Sequence, residues 1–145
     1  MDVTIRAITA DNYMHVSDLE LPNAQQNMLA HNDFSMLQSH YIDACNARAI
    51  YLYDEVVGFI MWVYSQKKLA SIWRFMIDHE HQKKGIGTKA LECALLEIKT
   101  MPGIEKIFIS YAPNNEVARK MYANVGFREL ETEEGDEDNV AVMNL

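Results

Sequence analysis

Two glycines separated by one residue follow a pair of lysines in the segment QKKGIGT, residues 82–88. An apolar run typical of a strand precedes the segment, and a helical pattern follows it. Backbone N–H groups at a helix start attract anions, and glycine lets a phosphate approach the backbone closely. The segment therefore predicts an anion-binding turn between a strand and a helix.

Two nucleotide-binding motifs resemble this segment only in part. A P-loop is excluded because it requires Gly-Lys-Ser/Thr, whereas the order here is Gly87-Thr88-Lys89. Residues 85–90 match the dinucleotide pattern G-x-G-x-x-G/A, and Glu105 lies at a suitable distance for a ribose-binding acid. However, residues 78–84 separate the strand from the first glycine, and Glu105 precedes the next strand. A dinucleotide site is therefore the weaker alternative.

A third pattern includes the glutamine and lysines of the segment. QKKGIG, residues 82–87, matches Q/R-x-x-G-x-G/A, and NEVARKMYANVGF, residues 115–127, matches N-x-x-A-x-x-x-Y-x-x-x-G-F. Together they resemble the two motifs of the GNAT superfamily of N-acetyltransferases. The stretches AIYLYDEVVGFIMW and RFMIDHEHQKKGIG also resemble the spermine/spermidine N-acetyltransferase branch of that superfamily.

The resemblance implies acetyl-CoA as cosubstrate and no metal. Backbone N–H groups of residues 83–88 would bind its pyrophosphate, a strand would lie along the pantetheine arm, and a strand N–H would polarise the thioester carbonyl. Asn115 would bond the pantetheine amide, and Arg119 would reach the 3′-phosphate. The residues expected to hold the cofactor are Phe75, Met76, Ile77, Gln82, Lys83, Lys84, Gly85, Ile86, Gly87, Thr88, Asn115 and Arg119.

The resemblance also implies that Tyr122 protonates the thiolate leaving group, with its position mattering more than its acidity. The alternative is a core tyrosine, because Tyr122 falls in one helical stripe with Ala118, Met121 and Val125. Many family members use a carboxylate of the preceding strand to help deprotonate the amine. This chain has Trp73 and Arg74 there, so no general base is predicted.

The expected reaction is direct attack on acetyl-CoA, in a ternary complex, by a primary amine of a small polycation such as spermidine or spermine. The alternatives are another amine (an aminoglycoside, an amino acid or a protein N-terminus) or a non-catalytic acyl-CoA-binding regulatory domain. An acidic segment near the C-terminus is either a solvated hairpin tip or an attraction for a cationic substrate. Its acids are Glu129, Glu131, Glu133, Glu134, Asp136, Glu137 and Asp138.

Composition narrows the class of protein. The 145 residues are 49% hydrophobic and 23% charged, which predicts one globular domain over residues 1–145. Net charge is −8, but the seven acids of the C-terminal segment account for all except about −1, and this balance argues against a nucleic-acid surface. The sequence shows neither a membrane span nor a signal peptide, so we expect a cytoplasmic protein. A homodimer is expected only because relatives often form one.

Three further residue patterns are interpreted as structural. Cys45 and Cys93 are each set among helix-forming residues and are expected to be reduced core thiols. The sequence His79-Glu80-His81 has strand-like spacing for two metal ligands but no evident third one, so a solvated loop is favoured. An aromatic cluster is expected mostly to pack in the sheet, although one or two of its rings could line an amine pocket. Its members are Tyr51, Tyr53, Trp62, Tyr64 and Trp73.

The elements that position these residues follow from periodicity and turn signals. Strands are predicted at 3–8, 49–53, 56–64 and 69–78, with a hairpin turn at Asp54-Glu55. Helical patches are predicted at 12–19 and 35–44. Two clearer helices follow the glycines and Asn115, with the strand KIFISY between them, and FRELET and NVAVMNL close the chain as strands. This order predicts an α/β (α+β) class. The resemblance implies the GNAT acyl-CoA N-acyltransferase fold, a mixed, mostly antiparallel sheet with helices on both faces.

Overall fold

Seven strands form one mixed sheet in the order β1-β2-β3-β4-β5-β7-β6 in the computed structural model, which describes residues 1–26, 30–66, 68–133 and 135–145. The strands are β1 (Val3–Ala7), β2 (Cys45–Leu52), β3 (Glu55–Ser65), β4 (Leu69–Ile77), β5 (Lys106–Tyr111), β6 (Arg128–Glu129) and β7 (Asn139–Asn144). The α-helices are α1 (Tyr13–Asp18), α2 (Asn32–Ser39), α3 (Ile86–Ile98) and α4 (Glu116–Val125). Two short 3-10 helices are Asn23–Gln25 and His79–His81.

Alternation of side chains along the central strands divides the core between the two faces of the sheet. On β2, Ile50 packs in a cluster with α3 and α4, whereas Ala49 and Tyr51 pack in a second cluster with Val16 of α1. Both clusters are built from β-branched, aromatic and other apolar residues that are almost fully buried. Helices therefore cover both faces, and the predicted fold class is confirmed.

The two helices after residue 85 have clear local causes. Leu91, Leu95 and Ile98 recur at helical spacing and are buried on the inner face of α3. In α4, the side-chain oxygen of Asn115 accepts a hydrogen bond from the N–H of Ala118 at 3.1 Å, and Gly126 follows the last turn with φ of 120°. Such an N-cap and C-terminal glycine fix both ends of a short helix.

The parallel pair β4 and β5 separates halfway along its length. Residues 69–72 of β4 pair with residues 106–109 of β5, but β4 continues to Ile77 and β5 to Tyr111 without further pairing between them. A register shift between Met61 and Trp62 of β3 disturbs the neighbouring ladder at the same level. The separation leaves a free backbone edge on β4 and opens a gap in the sheet.

Several predicted boundaries were wrong. The helix predicted at 35–44 ends at Ser39, and β2 begins at Cys45 rather than at residue 49, after Ala44 takes a left-handed φ of 58°. The strand predicted from FRELET is only Arg128–Glu129. Short polar stretches carry little periodicity, so tertiary pairing decides where such elements end.

Two smaller predictions also need correction. The β2–β3 hairpin turns at Tyr53 and Asp54, because Glu55 already belongs to β3. Cys45 lies in a strand rather than a helix, and both thiols are half-buried rather than in the core. Burial raises the pKa of each thiol, and both cysteines are free. None of the described helices is long and apolar enough to cross a membrane.

Gly58 lies where β3 and β4 approach most closely, and its replacement should destabilise the fold. A Cβ at this position would stand 2.6 Å from the carbonyl oxygen of Met76 and 2.9 Å from Cδ1 of Ile77. Because the first of these atoms belongs to the backbone, the strands must move. We expect Gly58→Ala to lower the free energy of unfolding by about 1–3 kcal/mol, measured by urea denaturation. An unchanged midpoint and slope would contradict this.

Candidate active site

The gap between β4 and β5 forms a cavity of about 440 Å³. Residues 73–77 of β4 line one side, and residues 109–112 at the end of β5 line the other. The cavity is also lined by Gly85, Gly87 and Thr88 at the start of α3 and by residues of the segment 115–122, which contains most of α4. The cavity therefore joins the glycine segment and the tyrosine motif, which the sequence separates by about 30 residues.

The glycine segment forms a tight turn that contains two residues with positive φ. Gly85 is the N-cap of α3 with a left-handed φ of 81°, and Lys83 has φ of 64°. Gly87 is buried, and a Cβ there would stand 2.9 Å from Cε of Met121. N–H groups in the first turn of a helix have no carbonyl partner within that helix, so those of α3 remain as donors beside the cavity. This turn fits a pyrophosphate.

Gln82 holds the turn in place. Its amide nitrogen donates to the carbonyl oxygen of Ile77 at 3.0 Å and to Oε1 of Gln25 at 3.1 Å. The amide of Gln25 donates in return to Oε1 of Gln82 at 3.3 Å. The side chain thus connects the end of β4, the turn and the N-terminal segment, which is a bracing role that the sequence did not predict.

Most of the predicted cofactor residues line the cavity. Those residues are Phe75, Met76, Ile77, Gln82, Lys83, Gly85, Gly87, Thr88 and Asn115. Asn115 uses its side-chain oxygen for the helix cap, so its NH₂ is the group available to a ligand. The assignment of these residues to acetyl-CoA stays a prediction, and their shared location in one cavity supports it.

Three predicted cofactor residues are not among those that line the cavity: Lys84, Ile86 and Arg119. Lys84 turns back to the carbonyl oxygen of Glu80 at 3.2 Å, and Ile86 is buried in the core. Arg119 forms ion pairs with Glu116 at 2.8 Å and Glu129 at 3.4 Å. Helical geometry explains its placement, because Ala118 and Tyr122 occupy the inward face and Arg119 points about 100° away from Ala118.

Tyr122 is a core residue and a cavity residue at once. Its side chain is 5% exposed and packs against three aromatic rings, with centroid distances of 5.4 Å to Tyr111, 6.1 Å to Phe127 and 6.4 Å to Phe75. In the described part of the chain no group hydrogen-bonds its hydroxyl. Burial, followed by the nearby phenol of Tyr111, raises the pKa of Tyr122 above its ordinary value. The phenol therefore holds its proton at neutral pH.

The same burial predicts weaker folding at alkaline pH. Because the folded-state pKa of Tyr122 is raised, the unfolded chain loses this proton first, near its ordinary pKa of about 10. The free energy of unfolding should then fall as the pH rises beyond that value. Urea denaturation at about pH 8.5 and about pH 10.5 measures this fall, which Tyr122→Phe should reduce. An equal fall in both proteins would contradict the prediction.

Two charged residues in the cavity wall were not predicted as site residues. Arg74 donates to Oε1 of Gln38 at 3.2 Å and to the carbonyl oxygen of Trp73 at 3.1 Å, while its Nε is buried without a partner among the described residues. Burial lowers the pKa of Arg74, and the charge of Asp138 partly offsets this. Asp138 also lines the cavity. The two residues line the same cavity because strands distant in sequence pair with each other, and no local pattern indicates such pairing.

The remaining titratable cluster is next to the turn. His81 lies 3.6 Å from Asp78 and 3.7 Å from Glu55, and Asp78 accepts a hydrogen bond from the N–H of Glu20 at 2.8 Å. Across residues 1–26, 30–66, 68–133 and 135–145, no three His, Cys, Asp or Glu side chains are arranged to hold a metal ion.

Comparisons with known proteins agree with this geometry. A profile of the Acetyltransferase (GNAT) family matches residues 11–127. A spermine/spermidine N(1)-acetyltransferase from Bacillus subtilis (strain 168) is 26% identical over 135 residues, which cover 88% of this chain and 89% of that protein.

Solved structures share the fold over nearly the whole chain. A spermidine N-acetyltransferase from Vibrio cholerae, in complex with CoA and spermine, gives a TM-score of 0.75 at 19% identity and covers 99% of this chain and 94% of that one. An aminoglycoside acetyltransferase in complex with coenzyme A gives 0.80 at 16% identity, covering 99% and 95%.

The family match spans both motifs and every element that builds the cavity up to Phe127. It confirms the family that the two motifs predicted, and with it the enzyme class. The chain belongs to the Acetyltransferase (GNAT) family and is an acetyl-CoA-dependent N-acetyltransferase.

Proposed function

We propose that the protein transfers an acetyl group from acetyl-CoA to a primary amine of a small polycation of the spermidine or spermine kind. The observation that carries the transfer is that one cavity contains both the helix-start turn and the buried phenol of Tyr122. The polycation is supported by the relative at 26% identity whose name is spermine/spermidine N(1)-acetyltransferase. It is also supported by the carboxylate of Asp138 in the cavity wall.

The cavity offers separate places for the parts of a long, charged cosubstrate. Acetyl-CoA, when bound, supplies the acetyl group as a thioester. The turn at residues 83–88 offers backbone N–H donors and the charge of Lys83 for phosphate oxygens. The free edge of β4 offers N–H and carbonyl groups for a ligand that extends the sheet, as a peptide does when it adds a strand.

Tyr122 holds the proton that the leaving sulfur needs. Its phenol lines the cavity, stays neutral because it is buried, and is fixed by three surrounding rings. A thiolate whose conjugate acid has a pKa near 8.5 can take a proton from a phenol only when the two are closely placed. The tight aromatic packing provides that placement.

The acceptor must lose a proton before it attacks. Deprotonating an alkyl ammonium with a pKa near 10.4 costs about 4–5 kcal/mol at pH 7. Arg74 puts a fixed positive charge in the cavity wall, and a nearby cation favours the neutral form of an amine. Arg74 thereby reduces this cost without accepting the proton itself.

Arg74 also supports a second candidate acceptor. A guanidinium in a cavity wall suits a carboxylate, so an amino acid would bind with its carboxylate at Arg74. The two candidates share the cofactor and differ only in the charge of the acceptor.

A thiol-release assay with acetyl-CoA and a panel of amines tests the proposal. The panel contains spermidine, spermine, an aminoglycoside, free amino acids and a peptide with a free N-terminus. Turnover fastest with the polyamines supports the proposal, whereas a preference for amino acids supports the second candidate. Tight CoA binding without thiol release from any amine would indicate a non-catalytic acyl-CoA-binding domain and overturn both.

A further inference from the structure

The cavity wall contains one carboxylate among its described residues, that of Asp138. Every other lining residue there is apolar, neutral and polar, a histidine or a cation. We propose that Asp138 is the specificity-determining residue of the acceptor site, and that it binds a second ammonium group of the acceptor, one that does not react. This inference rests on the proposed function, because it assigns the acceptor end of the same cavity.

The position of Asp138 is fixed by the sheet. The next residue, Asn139, is buried, starts β7 and pairs with Tyr111 at the end of β5. The side chain of Asn139 donates to Oε1 of Glu129 at 3.2 Å. Asp138 itself is exposed. The anchored neighbour therefore places the backbone of Asp138 at the cavity wall, and its exposed carboxylate is accessible to a ligand.

The other described acids of the C-terminal segment do not share this position. Glu129 is engaged by Arg119 and Asn139, and the carboxylate of Asp136 accepts a hydrogen bond from the N–H of Glu133 at 2.8 Å. Glu131, Glu133 and Glu137 do not line the cavity, and Glu134 lies outside the described residues. The proposed site is thus one side chain and not a general acidic surface.

Arg74 and Asp138 place opposite charges in the wall of the same cavity. The charge of Asp138 partly offsets the lowering of the pKa of Arg74 by burial, but no ion pair joins the two side chains among the described residues. An ammonium is attracted to Asp138 and repelled by Arg74, and the neutral form of an amine is favoured near Arg74. A diamine is accordingly oriented with its neutral nitrogen toward Arg74 and its charged nitrogen toward Asp138. A monoamine that binds with its reacting nitrogen toward Arg74 has no second ammonium group for Asp138.

The test compares two acceptors that differ by one terminal ammonium, 1,8-diaminooctane and n-octylamine. Asp138→Asn should raise KM for the diamine about 10-fold and leave kcat within about twofold, since the lost contact is made equally in the ground and transition states. KM for the monoamine should stay unchanged, and so should the affinity for CoA. The matched control is Glu137→Gln, which removes the same charge from the preceding residue, a residue that does not line the cavity.

Two further measurements separate a local contact from a general field or a folding defect. The effect of Asp138→Asn on KM should shrink at high salt, because exposed charges are screened, and Asp138→Glu should restore most of the preference for the diamine. Thermal unfolding of all variants with and without CoA checks that the fold and the cofactor end are intact.

The outcomes keep the two proposals apart. If Asp138→Asn leaves turnover of the diamine unchanged, the assignment of Asp138 is overturned but the proposed function is not. An equal rise in KM for both acceptors, or an equal effect of Glu137→Gln, overturns it as well. Failure of the wild-type protein to acetylate either the diamine or spermidine overturns the proposed function and this assignment together.

Discussion

Tyr122→Phe should lower kcat for the best acceptor about 100-fold, a typical loss for a positioned general acid. The affinity for CoA should change by less than about threefold, because the ring and its aromatic contacts remain. Thiol release measures kcat, and calorimetric titration with CoA measures affinity. Only a loss confined to kcat distinguishes a proton donor from a residue that shapes the cavity.

Tyr111→Phe is the informative comparison for this variant. Among the described residues that line the cavity, Tyr111 has the other tyrosine hydroxyl, and its ring centroid lies 5.4 Å from that of Tyr122. Burial, followed by Glu129, raises the pKa of Tyr111, so it too is protonated at neutral pH. A larger loss of kcat in Tyr111→Phe than in Tyr122→Phe would move the role of acid to Tyr111.

Gly87→Val should have the largest effect on cofactor binding. Gly87 is buried beside the cavity, and even a Cβ would meet Cε of Met121 at 2.9 Å. The two additional methyl groups must enter the space beside the first turn of α3. We expect Kd for CoA to rise at least about 30-fold, equivalent to about 2 kcal/mol, measured by calorimetric titration.

Leu96→Val is the matched control for Gly87→Val. Leu96 is on the same helix, is 70% exposed and does not line the cavity. The control carries the small helical cost of a β-branched residue without any change at the turn. If both variants bind CoA as the wild type does, the anion-binding role of the turn is wrong.

The turn and the helices of the proposed cofactor end were largely predictable from sequence because their signals are local. Gly85 and Gly87 mark a turn that opens a helix, and Asn115 and Gly126 mark the ends of the next helix. Each signal lies within a few residues of the structure it specifies. The pairing of Tyr122 with the turn followed from two motifs in order, and the cavity confirms that they meet.

The proposed acceptor end was not predictable because it depends on pairings distant in sequence. Arg74 meets Gln38 across the α2 side of the sheet, and Asp138 reaches the wall because Asn139 pairs with Tyr111. The seven-acid segment suggested an attraction for cations but could not indicate which acid reaches the cavity. Arg119 pairs with Glu116 and Glu129, which the sequence did not indicate because a pattern places a residue on a helix but does not specify its ionic partners; its role at the 3′-phosphate stays a prediction.

The two proposed binding regions of the cavity differ in the groups they present, main-chain N–H groups in one and side chains in the other. Mutation therefore affects them differently. The turn at α3 offers main-chain N–H groups to a ligand, and its shape depends on the absence of side chains at Gly85 and Gly87. The proposed acceptor wall uses the side chains of Arg74 and Asp138, and Gln38 supports Arg74 by accepting a hydrogen bond from it; the three residues come from separate segments. On this proposal, amine preference could drift through the exchange of one side chain at the wall while the turn stays intact, whereas a side chain added at Gly87 would weaken the enzyme toward every acceptor.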